Sequence, residues 1–173
     1  MSSISQMQMA YAPEQDRILF RLSTNTQQEF RFWLTRRFAM MFLKVLRTHR
    51  QADPDVSTLQ SPADKAVVQD FKKEKAIEEA NFEKKFENDA REFPIGEEAQ
   101  LAFKLSYRIK DDGGLALTIQ PKEGQGINVN LNQSLNVTLT ELLLSSARKA
   151  QWRLDEWLSE QQAAENQPER VIN

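Results

Sequence analysis

At 173 residues with a formal net charge of −2, the chain is long enough for one domain that buries roughly 70% of its unfolded surface, and its charge gives no whole-chain nucleic-acid signature. The absence of cysteine excludes disulfide scaffolds, thiolate metal sites and cysteine nucleophiles. Met1 to Ala12 lacks the basic and apolar regions of a signal peptide, and the longest apolar run, Phe38 to Leu43, is far short of the ~20 residues a membrane helix needs, so a soluble, cytoplasmic protein without membrane association is expected.

Residues 1–14 read as a flexible tail or, through the alternation of Met7, Met9 and Tyr11, as an edge strand. Ile18, Phe20 and Leu22 then alternate with polar neighbours, as do Phe30, Phe32 and Leu34, which predicts a hairpin around Asn25, Thr26 and Gln27. Placing both apolar sets on one face pairs Leu22 with Phe30 and Phe20 with Phe32, and sets Arg21 opposite Arg31 on the other.

Thr35 is placed to cap a helix running to about Arg50, with Asp53-Pro54 as its stop. After a Pro-, Ser- and Thr-containing linker over residues 51–62, a long charged helix is expected over residues 62–93, with a narrow apolar stripe at Phe71, Phe82 and Phe93.

The alternation of Leu101, Phe103, Leu105, Tyr107 and Ile109 predicts a strand with those side chains inward. Asp111 to Gly114 supplies a turn, and Leu115, Leu117, Ile119 and then Ile127, Val129, Leu131 complete a three-strand meander. Thr138 and Glu141 stand at capping-box spacing ahead of a last helix that carries Leu139, Leu143, Ala147, Leu154 and Trp157 on one face. A polar tail follows at 166–173. The sum is an α+β chain: an antiparallel sheet of about five strands, a hairpin plus a meander, with three helices in the order ββααβββα. Residues 15–165 are expected to form a single domain.

Catalytic equipment is sparse. His49 is the only histidine, so neither a histidine metal pair nor an imidazole triad is signalled by spacing. The glycines sit at turns and between strands, whereas a nucleotide loop joins a strand to a helix N-terminus. Asp111 and Asp112 with Glu97 and Glu98 match no calcium loop. No cofactor and no metal are expected.

Two surfaces call for partners. On a helical wheel Trp152 falls opposite the apolar face of the last helix with Leu144 at the margin, a placement that suggests a contact because aromatics are enriched in interface cores. The first reading is therefore a non-enzymatic protein-interaction or assembly module, a homo-oligomer or the binder of another protein, with Leu144 and Trp152 at the contact. The second surface is basic: residues 29–50 hold six cations and one anion, Glu29. Arg31, Trp33, Arg36, Arg37, Lys44 and Arg47 supply the cations and the aromatic of an alternative reading, a nucleic-acid-binding or regulatory module.

Overall fold

The computed structural model describes residues 3–80, 82 and 84–165; the tail expected over residues 166–173 lies outside them. Among the described residues the architecture is α+β, with two sheets and five helices rather than one sheet of about five strands and three helices. Strands β1 (Ile4–Ala12), β2 (Arg17–Thr24), β3 (Glu29–Leu34) and the two-residue β4 (Gln100–Leu101) form the first sheet in that order. Strands β5 (Lys104–Ile109), β6 (Leu115–Gln120) and β7 (Ile127–Leu131) form the second. Residues 4–12, open between tail and strand in the sequence, pair antiparallel with β2 from Ile4↔Thr24 to Ala12↔Arg17.

The β2–β3 hairpin has the register its apolar alternation requires, Phe20↔Phe32, Leu22↔Phe30 and Arg21↔Arg31. Its turn closes through Thr24 N–H donating to Gln28 O at 2.9 Å, with Gln27 at a positive φ of 60°. The strand expected to run unbroken from Leu101 changes sheets instead. Ala102 N–H donates to Trp33 O at 3.0 Å, and the next residue, Phe103, donates to Gln120 O at 2.9 Å. That switch is what divides the strands into two sheets.

Helix α1 (Arg36–Gln51) is capped by Thr35, whose hydroxyl accepts from Phe38 N–H. It buries Phe38, Phe42, Leu43 and Leu46 against the sheets and against Leu139, Leu143 and Ala147 of α4 (Gln133–Lys149). Each such fully buried side chain contributes about 2 kcal/mol. The short α2 (Pro54–Ser57) is capped by Asp53, and α3 (Pro62–Glu79) by Ser61.

The charged helix stops at Glu79 rather than near residue 93. Downstream, the backbone is spent on the hairpin: Glu29 N–H donates to Glu92 O at 2.9 Å and Arg91 N–H to Gln27 O at 2.9 Å. Phe86 and Phe93 lie under the guanidinium groups of Arg21 and Arg31, 4.2 and 5.0 Å from ring centroid to Cζ. Tertiary pairing outweighs the helix propensity of that segment, and it also covers the exposed side of β3.

The last helix is likewise divided. Asn132, not Thr138, caps α4 by accepting from Leu135 N–H at 2.8 Å. The chain then turns before α5 (Leu154–Glu165) through Gln151 and Arg153, both in the left-handed region at φ 57° and 58°. Trp152 stands between them and turns inward.

Candidate functional site

Strand β5 is an edge strand whose apolar face is only partly covered. Its pairing with β6, Leu105↔Ile119, Tyr107↔Leu117 and Ile109↔Leu115, sets its odd-numbered side chains on the same face as the fully buried Leu115, Leu117 and Ile119. The expected phase therefore holds over residues 105–109, but the expected burial does not, since Tyr107 is 48% exposed. Ahead of β5 the phase itself slips, because Leu101 pairs with Trp33 in the first sheet, Ala102 is the buried residue, and Leu101 and the 53% exposed Phe103 face outward. The covering elements reach Leu105 and Ile109, which are half-buried, and leave the rest open.

The backbone at this edge is also unspent. Lys110 N–H donates to Gly114 O at 2.8 Å, which places the bonded positions of the β5–β6 ladder at the even residues. Leu105, Tyr107 and Ile109 accordingly direct their N–H and C=O groups away from β6. No backbone or side-chain partner for them occurs among the described residues. A row of such groups is a template for another strand.

Beside Tyr107 runs a groove of about 330 Å³, lined on its apolar side by Met41, Val45, Trp157 and Leu158. Lys44 stands on its rim, and Lys104 and Arg108 project from the even-numbered side of β5. None of Arg37, Lys44, Lys104 and Arg108 is in an ion pair with the described residues. An apolar strip with free cations thus lies along an open strand edge.

The surfaces expected from the sequence are placed otherwise. Trp152 is 6% exposed. Its indole Nε1–H donates to Asp16 Oδ1 at 3.1 Å, and its ring meets Tyr11 edge-on, with centroids 6.1 Å apart. The positive-φ residues on either side rotate it off the wheel position that a continuous helix would give, so the N-terminal hairpin covers it and it is no outward contact. Leu144 is buried too and lines the floor of a half-open cleft.

The basic surface is divided. Arg31 and Arg21 both pair with the buried Glu29, and Arg31 also donates to Glu97 O at 2.9 Å. Trp33 is half-buried on the same face. Arg36 donates to Trp152 O at 3.1 Å, and Arg47 pairs with Glu165 at 2.7 Å. Arg37 and Lys44 alone of the six residues are exposed without a side-chain partner among the described residues, and they share the α1 face that carries Met41.

Where α1 meets α4, a buried polar network replaces apolar packing. Asn136 Nδ2–H donates to Leu46 O at 2.8 Å and to His49 Nδ1 at 2.7 Å. His49 Nδ1 is thus an acceptor, and its proton sits on Nε2, which donates to Gly113 O at 2.9 Å. Burial pushes the His49 pKa down from its ordinary 6.5. Arg50 Nη1 donates to Asn136 Oδ1 at 2.9 Å and to Thr140 Oγ1 at 2.7 Å. Burial, reinforced by the charge of Arg47 and opposed by that of Glu141, draws the Arg50 guanidinium down to about 10, which leaves it a cation at neutral pH.

Among the described residues no group of three or more His, Asp or Glu is arranged to hold a metal ion, and no helix is long and apolar enough to cross a membrane. No protein-family model matches this chain, and no curated protein or solved structure matches it either.

Proposed function

We propose that this protein is a non-enzymatic interaction module that takes up an extended segment of a partner protein by strand addition along β5. The observation that carries the reading is the coincidence, at one edge, of unpaired backbone at Leu105, Tyr107 and Ile109 with exposed Phe103 and Tyr107. Main-chain hydrogen bonds supply affinity in this mode, and alternate side chains supply specificity. Side chains on the Tyr107 side of the added strand should be apolar, and those opposite Lys104 and Arg108 acidic.

A second copy of this chain suits the edge poorly. Antiparallel self-pairing centred on Tyr107 sets Lys104 across from Lys110 and puts like charges opposite one another. The occupant is therefore an acidic and apolar alternating segment. The probe is a fluorescently labelled Glu-Val-Glu-Val-Glu-Val-Glu peptide, read by anisotropy beside a Lys-Val counterpart. Cross-strand charge pairs contribute roughly 0.2–1 kcal/mol each, and reversing two of them changes attraction into repulsion. The Lys104→Glu/Arg108→Glu variant should thus bind the acidic peptide about tenfold more weakly. Equal binding of both peptides, or of neither, overturns the reading. Light scattering that shows a dimer strengthened by Lys104→Glu, which turns the Lys104–Lys110 repulsion into attraction, would replace it with self-assembly.

A further inference from the structure

A second site, independent of the strand edge, lies under α3. A cleft of about 440 Å³, open on one side, is lined by α1, α2, α3, α4 and α5, at the lower end of the ~300–1,000 Å³ range that holds small molecules. Its apolar wall includes Val56, Val137, Leu144 and Leu158. Its polar wall carries Arg50, an arginine with no carboxylate within ion-pair distance among the described residues.

The charges nearest the inner wall are committed elsewhere, while Asp70, Lys75 and Glu79 line the mouth as exposed side chains without an ion pair among the described residues. Lys72 holds Asp53 and Asp55, Lys73 pairs with Glu141 at 3.4 Å, and Arg47 is taken by Glu165. Arg50 is left with neutral partners, Asn136 and Thr140, both bound through Nη1. Its Nε and Nη2 have no hydrogen-bond partner among the described residues, and neither is sealed from open space. These two nitrogens form the side of a guanidinium that grips a carboxylate with two parallel hydrogen bonds. Beside it, Arg47 Nε is buried without a partner. A cation withdrawn from water with no counter-charge is costly, and here the missing charge corresponds to one anion.

We infer that the cavity binds a small apolar monocarboxylic acid, its carboxylate on the Nε and Nη2 edge of Arg50 and its hydrocarbon against Val56, Val137, Leu144 and Leu158. Arg50 is the one guanidinium of the lining without a carboxylate partner among the described residues, which calls for a monoanion, and the apolar wall calls for a hydrocarbon body. The planar fork suits a carboxylate, and the pocket offers no second free guanidinium for a dianion.

The test titrates octanoate, octanol and inorganic phosphate into the full chain by calorimetry. Octanoate should bind at least about tenfold more tightly than octanol, the difference expected of a charge-assisted bidentate contact, and phosphate should not compete. Arg50→Met should remove the preference for octanoate over octanol. Val137→Phe, which fills the cavity and leaves Arg50 in place, should weaken both ligands, and it decides the matter if Arg50→Met fails to fold. Equal affinity for octanoate and octanol, displacement by phosphate, or unchanged octanoate binding in Val137→Phe each overturns the assignment.

Discussion

Replacing Trp152 by alanine separates a core role from a contact role. The side chain is almost wholly enclosed by Tyr11, Asp16 and the central cluster. Truncating a buried tryptophan costs about 3–5 kcal/mol, within which the Nε1–Asp16 hydrogen bond accounts for about 1 kcal/mol and the edge-on Tyr11 pair for about 0.5–1.5 kcal/mol. A loss of about 4 kcal/mol is expected, a large share of the 5–15 kcal/mol by which domains of this size are stable. Trp152→Phe keeps most of the apolar area and loses the N–H donor, so about 1–2 kcal/mol is expected there. Urea unfolding followed by circular dichroism reads both values, and the midpoint should fall without a change in slope. A Trp152→Ala protein with an unchanged midpoint but an altered association state would refute the burial argument and restore this residue to an interface.

Other perturbations address separate parts of the structure. Asn132→Ala removes the α4 cap and should cost about 1 kcal/mol by the same urea assay. At Gly126 a Cβ would stand 2.0 Å from Ile119 O and 2.8 Å from Gln120 Cα, both backbone atoms, so Gly126→Ala should cost at least about 1–3 kcal/mol; a neutral result would mean that the β6–β7 connection is placed wrongly. Because the folded pKa of His49 lies below its ordinary 6.5, the unfolded chain binds this proton more readily. The stability linked to His49 is therefore complete above about pH 6.5 and is lost as pH falls through the folded value. His49→Gln should flatten that part of the stability profile, measured as urea midpoints between pH 5 and 8.

Local periodicity carried the parts of the fold that depend on which face a residue occupies. The β2–β3 register followed from the alternation of Phe20, Leu22, Phe30 and Phe32, and the meander followed from Leu115, Leu117 and Ile119. Exposure depends instead on what lies across from a face, so the phase of Tyr107 was legible while its openness was not, and the sheet switch at Ala102–Phe103 broke the alternation ahead of it. The left-handed turns at Gln151 and Arg153 have no glycine to announce them, and a helical wheel carried through them misplaced Trp152. The end of α3 was hidden for a different reason: residues 86–97 are committed to the hairpin by long-range contacts. One overlooked signal was Asn136, an amide at a core-phase position between Asn132 and Leu139. Such a residue is a poor helix former and marks the buried network that holds Arg50.

The central claim is that the β5 edge accepts a strand. Amide hydrogen exchange of the full chain, resolved by residue and recorded with and without the Glu-Val peptide, tests it most directly. Leu105, Tyr107 and Ile109 should exchange readily in the free protein and become protected together on peptide addition, while Lys104, Ser106 and Arg108 change little because β6 already holds them. Protection of those three amides in the free protein, or protection on addition of peptide that bypasses them, would contradict the account.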